Sequence, residues 1–291
     1  MPIKSTNFQV PFNGKFKVSH SATTFPNSNI TDKSAKKALK KEIKRLAELQ
    51  DRLYAADTHA VLCVFQAMDA AGKDSTIRAV TSGVNPAGFQ VTSFKTPSKQ
   101  ELEHDFLWRT TQALPQRGRI GIFNRSHYEE TLVVRVHPEY LAHQRLPKIS
   151  ENIWQERFEA IRNHEKHLSE NGTLILKFWL NVSREEQLNR FTRRLERPEK
   201  NWKFSGNDLK ESARWRDYMA AYESMLNETS RPCAPWFAIP ADNKPIMRLT
   251  VASIINEALE DLNLKYPRMA QSEQARIPEY LAAIEQARST L

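Results

Sequence analysis

Only two cysteines occur in the 291 residues, Cys63 and Cys233. Cys63 falls inside an apolar run and Cys233 lies far from it. A disulfide framework is therefore excluded, and both read as reduced, inert thiols. No apolar run reaches the roughly 18–20 residues that a membrane span needs. The opening Met-Pro-Ile-Lys-Ser has no signal-peptide core. These absences predict a cytoplasmic protein without membrane attachment, in which the Asn-x-Ser/Thr matches at Asn29, Asn124, Asn181 and Asn227 are chance. His127 and His137 have no partner at metal-ligand spacing. Basic segments interleaved with aromatics, the mark of single-strand nucleic-acid platforms, are also missing.

What is present is an ordinary globular composition, 40% hydrophobic and 26% charged. The length allows one large α/β domain with extensions, or two small domains. The net charge is +9, which suits an anionic partner without choosing among nucleic acid, membrane surface and anionic substrate. The charge is concentrated. Residues 33–52 hold eight Lys/Arg against three acids, and residues 184–216 hold ten against six.

Apolar runs alternate with helix-compatible stretches. Residues 1–32 read as an extended arm. A helix is predicted over 33–56, strands near 60–66, 89–94, 119–123, 173–180 and 236–239, and helices near 72–82, 151–169, 208–228 and 246–263. Ser98 with Glu101 and Ser183 with Glu186 form two capping boxes, opening helices to about residues 113 and 196. Residues 266–291 read as a C-terminal helical extension. Strands alternating with helices imply an α/β fold, a five-stranded parallel sheet with helices on both faces. Ligands of such sheets sit beyond the carboxyl ends of the strands.

Residues 66–76, Gln-Ala-Met-Asp-Ala-Ala-Gly-Lys-Asp-Ser-Thr, follow the first strand and lead into a helix. Strand, tight loop and helix with Gly-Lys at the turn form a phosphate cradle of backbone N–H groups, here Ala70, Ala71, Gly72, Asp74 and Ser75. Lys73 adds a point charge for the outer phosphates. Two departures from the usual P-loop stand out. Ala67 replaces its first glycine, and Ala tolerates positive φ poorly. Asp74 replaces the hydroxyl that holds Mg²⁺, which makes Asp69 the leading metal ligand, with Glu130 a second candidate and Glu129 and Asn124 as alternatives. Asn124-Arg125 ends the third strand on the same edge. Arg125 suits bidentate phosphate binding, and Arg135 is a third candidate cation. Phosphoryl transfer needs alignment and charge neutralisation above all.

Residues 184–216 read as a basic lid. Leu188, Phe191 and Leu195 share one face of its helix, and Arg190, Arg193, Arg194 and Arg197 fall largely on the other. Lys200 and Lys203 extend the stripe, a row suited to a polymer with one charge per phosphate. Trp202 is expected to anchor this lid to the core.

Several blocks resemble family-2 polyphosphate kinases. They are Met-Asp-Ala-Ala-Gly-Lys-Asp (68–74), Ser-Gly-Val-Asn-Pro (82–86), Ser-Phe-Lys-Thr-Pro (93–97), Phe-Asn-Arg-Ser-His-Tyr-Glu-Glu (123–130), Val-Val-Arg-Val (133–136), Trp-Lys-Phe-Ser (202–205) and Trp-Arg-Asp-Tyr (215–218). The resemblance spans about residues 33–265. It implies a P-loop kinase fold with a helical lid, and Mg²⁺-dependent transfer of a terminal phosphoryl group between inorganic polyphosphate and a nucleotide. Asn124 resembles the subgroup that phosphorylates both AMP and ADP, where another subgroup has Asp. Gly83, Val84, Asn85, Lys95 and Thr96 are the expected nucleotide contacts. The expected partners are polyphosphate and AMP, ADP or ATP, with no nucleic acid, in a homo-oligomer. Two readings compete: an ATP-dependent nucleoside monophosphate kinase on the same fold, and a noncatalytic polyanion binder.

Overall fold

Strand β1 (Ala60–Ala67) buries its first seven residues. A strand covered on both faces carries a continuous apolar run, here Val61-Leu62-Cys63-Val64-Phe65. The structure, a computed structural model, describes residues 4–25 and 30–290. Around β1 lie β2 (Phe89–Ser93), β3 (Ile120–Asn124), β4 (Thr173–Asn181) and β5 (Trp236–Pro240). The order is β2-β3-β1-β4-β5 and every pairing is parallel. All five carboxyl ends therefore share one edge, with β1 central.

Helices α1 (Asp32–Ala56), α2 (Lys73–Thr81) and α9 (Lys244–Asp261) pack against one another. A second group holds α4 (Val133–Val136), α5 (Ile153–Glu170) and α8 (Trp215–Thr229). The short α3 (Trp108–Thr111) lies between β2 and β3. Helices α6 (Arg184–Leu195) and α7 (Gly206–Ala213) connect β4 to α8, and α10 (Gln271–Ala275) and α11 (Ile277–Ser289) end the chain with no buried residue.

Three local expectations change. Ser98 and Glu101 do form reciprocal capping bonds, at 2.6 and 3.2 Å. They open only a 3₁₀ turn, Glu101–Glu103, because the Asp105 side chain accepts from Leu107 N and starts a new turn. The helix expected over 208–228 is two helices, α7 and α8, broken at Arg214. The arm is not free over its described part. Val10 N donates to Trp236 O and Ala238 N to Phe8 O, at 2.8 and 2.7 Å, so the arm covers the β5 edge.

One buried ion pair shapes the site from behind. Lys177 Nζ on β4 donates to Glu165 Oε2 at 2.6 Å, Tyr128 OH at 2.8 Å and Thr229 O at 2.8 Å. Tyr128 OH also donates to Glu165 Oε1 at 2.7 Å. Burial lowers the Lys177 pKa and raises that of Glu165, and the four partners satisfy each other. This network fixes the turn after β3, three residues beyond Arg125.

Candidate active site

Ala67 closes β1 in register with Leu180. It is extended, so the missing first glycine causes no strain there. The left-handed positions fall later, at Ala70 (φ 63°) and Gly72 (φ 104°). Gly72 caps α2 and accepts from Thr76 N at 2.9 Å. A Cβ there would lie 3.4 Å from the side chains of Lys244 and Met247. The loop thus turns tightly under α9 and delivers Lys73 to the mouth of the helix.

The end of β3 meets this loop, as the shared sheet edge requires. Arg125 has φ 62° and donates its backbone N–H to Phe65 O at 3.1 Å. Its guanidinium reaches Asp69 Oδ1 at 2.9 Å and Glu129 Oε2 at 3.4 Å. Glu129 and Asp69 raise its pKa, in that order, and burial opposes them. Asn124 Nδ2 donates to Asp74 Oδ1 at 3.0 Å and to Ser93 Oγ at 3.1 Å. Burial lowers the Lys73 pKa, helped by Arg125 and opposed by Asp74, Glu129 and Asp69. An anionic ligand beside Lys73 would offset that desolvation. Lys95 and Thr96 follow β2 on the same edge, beside Asn124 through the β2–β3 pairing.

The cleft over the loop has a volume of about 430 Å³. Ten of its seventeen lining residues are Lys or Arg, two are Asp, and none carries an aromatic ring. Ala70, Ala71, Gly72, Asp74, Ser75, Arg193, Arg194, Arg197, Lys200 and Lys203 all line it.

Several expected roles change. Arg190 lines the cleft, yet its guanidinium is engaged. It donates to Ala70 O, Ala71 O, Ala241 O and Asp242 O at 3.0, 2.6, 2.7 and 3.0 Å and to Glu186 Oε1 at 2.8 Å. It braces the P-loop against the β5–α9 turn rather than offering a free cation. Helix α6 meets the expectation in part: Phe191 is buried and Arg193, Arg194 and Arg197 face the cleft, but the leucines and Arg190 exchange places. It buries Gln187, Arg190 and Phe191 and exposes Leu188 and Leu195. Arg193 pairs with Glu186 at 2.6 Å, and Arg194 bonds Lys203 O and Asp208 at 3.2 and 3.3 Å. Trp202 is 77% exposed and anchors nothing to the core; it stacks under Lys203 Nζ, 4.9 Å from the ring centre.

Glu130 is not available to a metal. It is buried, paired with Arg157 at 3.0 Å, and accepts from Gln144 at 2.6 Å. Arg135 is outside the cleft, with its guanidinium over Trp154 and Phe158 at 5.9 and 6.0 Å. Gly83, Val84 and Asn85 lie beyond the far end of α2, just before β2 begins, at the amino edge of the sheet. Nine helical residues carry the chain roughly 14 Å away from the loop. Asn85 caps the 3₁₀ turn of Pro86–Gly88 through Ala87 N, which is a structural role.

Five contributors escaped sequence reasoning: Arg78, Gln187, Ser93, Lys244 and Arg248. Gln187 holds Asp69 O at 2.9 Å and accepts from Ser212 at 2.7 Å. Lys244 and Arg248 could have been found, because they follow the fifth strand on the ligand-binding edge.

The residues near the loop suit a divalent cation of the Mg²⁺ type. No cluster of three or more His, Cys, Asp or Glu able to hold a metal occurs among the described residues. A hard ion that keeps waters and takes one or two carboxylates plus substrate phosphates needs no such cluster. Asp69 is 34% exposed in its side chain and Asp74 is 82% exposed, so both can turn oxygens to it.

Comparison with known proteins agrees with this geometry. The chain is 55% identical over 232 residues to an ADP-polyphosphate phosphotransferase of Rhodopseudomonas palustris, covering 79% of this chain and 80% of that one. It is 47% identical over 225 residues to an AMP/ADP-polyphosphate phosphotransferase of Meiothermus ruber, covering 77% and 81%. The crystal structure of Polyphosphate Kinase 2 from Arthrobacter aurescens TC1 superposes with a TM-score of 0.87 at 35% identity, covering 96% of this chain and 98% of that one. The fold is that of the P-loop kinases. Residues 29–267 match the family described as Polyphosphate kinase 2, and the chain belongs to that family.

Proposed function

We propose that this protein transfers the terminal phosphoryl group of inorganic polyphosphate to AMP or ADP, with Mg²⁺. The observation that carries this reading is the donor cleft, ten cations and no ring. A nucleotide donor needs a surface for its base, usually apolar or aromatic. A phosphate polymer needs only charge. The names of the two relatives point the same way for donor and acceptor.

The chemistry follows from the placement. The P-loop N–H groups and Lys73 hold the transferring phosphate, and Arg125 reaches it from the end of β3. The acceptor approaches from the β2–β3 side, past Asn124, Lys95 and Thr96. One of its terminal phosphate oxygens attacks phosphorus in line. The bridging P–O bond to the rest of the chain breaks, and the shortened polymer leaves with that electron pair. The nucleophile is already anionic, so no side-chain base is required. A divalent ion on Asp69 and Asp74, when bound, would neutralise charge on the bridging and terminal oxygens. Lys73, its charge favoured once a phosphate is beside it, and the acid-paired Arg125 supply the remaining positive charge where the transition state spreads its negative charge.

The test is a mixture of enzyme, Mg²⁺, polyphosphate and AMP without ATP, with nucleotides resolved by chromatography. ADP and ATP should accumulate. Product formed only when ATP is added would assign the protein to the ATP-dependent monophosphate kinases.

A further inference from the structure

Among the described residues, six of the cleft's ten cations make no side-chain hydrogen bond or ion pair: Arg78, Lys244 and Arg248, and on the lid side Arg197, Lys200 and Lys203. Arg78 lies on α2 and Lys244 and Arg248 on α9; Lys244 and Arg248 are half-buried, whereas Arg197 and Lys203 are exposed to water. The Arg248 Nε is buried without an acceptor. The arrangement of the α2 and α9 cations is unfavourable on its own. Lys244 and Arg248 are like charges four residues apart on one helix, which destabilises it. Lys244 is the first residue of α9, where the helix dipole is positive. Burial, then Arg190, Arg193 and Arg248, lower the Lys244 pKa to about 8, with Glu186 opposing. Burial, then Arg78 and Arg190, lower that of Arg248. By contrast the α6 cations Arg190, Arg193 and Arg194 are already matched to carboxylates or carbonyls. Lys244 also passes beside Gly72, so this floor begins where the phosphate loop ends.

We propose that Arg78, Lys244 and Arg248 form the subsite for the donor phosphates beyond those on the P-loop, so that the polymer leaves the loop across the α2–α9 floor rather than along α6. The inference rests on the polyphosphate reading. A polyanion here removes the mutual repulsion of the three cations. Phosphates further along the chain carry no reacting atom, so the subsite discriminates between long and short donors.

The experiment is direct binding of long-chain polyphosphate and of tripolyphosphate, without nucleotide, at several salt concentrations. The proteins compared are the parent, Lys244→Gln/Arg248→Gln, Arg78→Gln, and Arg197→Gln/Lys200→Gln as the α6-side control. The floor double variant should bind the long chain about tenfold more weakly, and its log–log salt slope should flatten by about 1.4, near 0.7 per lost charge. Its loss for tripolyphosphate should be smaller, and the control should lose less. Its melting temperature should equal or exceed the parent's, because repulsion has been removed. Arg78→Gln, on an exposed side chain, should shift long-chain binding in the same direction. Parental affinity and slope in both floor variants, with the loss falling on the control, would overturn the assignment and put the polymer along α6. A parent that binds no polyphosphate at all would instead remove the functional reading beneath it.

Discussion

Arg190→Lys separates a brace from a substrate contact, because it keeps the charge and loses the fork. Arg190 makes five hydrogen bonds, four to main-chain carbonyls and one to Glu186. An ammonium has three donors in a compact cluster and cannot span carbonyls of both the P-loop and the β5–α9 turn. At least two bonds are lost. At about 1.5–3 kcal/mol for each bond involving a charged group, the variant should be destabilised by about 3–6 kcal/mol. For a large domain, at about 2–4 °C per kcal/mol, that corresponds to a fall in melting temperature of roughly 6–24 °C. The loop should also loosen, and a misplacement of about 1 Å costs about a hundredfold in turnover. The assays are thermal melting and initial rates with both substrates saturating. A melting temperature within about 2 °C of the parent, with only the polyphosphate KM changed, would refute the brace and make Arg190 a substrate cation.

Further outcomes follow from the same geometry. Lys73→Ala should lower turnover by about 10²–10³-fold with little change in melting, and activity within about threefold of the parent would remove its assignment. Arg125→Lys should be comparably damaging although charge is kept, since one ammonium cannot span Asp69, Glu129 and a phosphate; near-parental rates would reduce Arg125 to a point charge. Asp69→Asn should shift the Mg²⁺ activation curve to higher concentration, whereas an unchanged curve would move the metal to Asp74 alone. Ala70→Gly should stabilise the protein by about 0.5–1 kcal/mol in denaturant titrations. It relieves about 1–2 kcal/mol of left-handed strain against the greater unfolded-state entropy of glycine. Equal or lower stability would show that the loop holds no such strain.

The sheet was readable from sequence because a parallel strand buried on both faces writes itself as an unbroken apolar run. The phosphate loop was readable because it links such a run to a helix through Gly72 and Lys73. Once those were placed, the parallel topology brought Asn124 and Arg125 to the same edge. Direction along a helix was harder. The Ser-Gly-Val-Asn block looks loop-like and close to the P-loop in sequence, but α2 lies between them and carries it to the opposite edge. Helix α6 misled through composition. Its leucines suggested the buried face together with Phe191, whereas Phe191 is buried with Gln187 and Arg190, which are held by carbonyls that no side-chain pattern reveals. Glu130 and Arg135 misled through proximity, since a turn and a short helix after β3 point them toward α5 and its aromatic rings. Lys244 and Arg248 lie 171 and 175 positions beyond Lys73, and only the strand order places them beside it.

Asp69 joins the two halves of the proposed chemistry. One of its oxygens holds Arg125 at 2.9 Å, which keeps the guanidinium beside the loop without a substrate. A carboxylate has two oxygens, so a cation can share Asp69 without expelling Arg125. Binding a cation there weakens the pull of Asp69 on Arg125, and an incoming phosphate offers that guanidinium a new anion. Glu129 keeps its own contact with the same arginine at 3.4 Å and prevents it from swinging away. Metal and donor phosphate should therefore bind with mutual reinforcement through one side chain. The measurement is the Mg²⁺ affinity of the parent with and without a non-transferable polyphosphate analogue, repeated in Arg125→Lys. The reinforcement should be present in the parent and reduced in the variant. Equal reinforcement in both would mean that the metal and the polymer meet only through their own phosphate–metal contact.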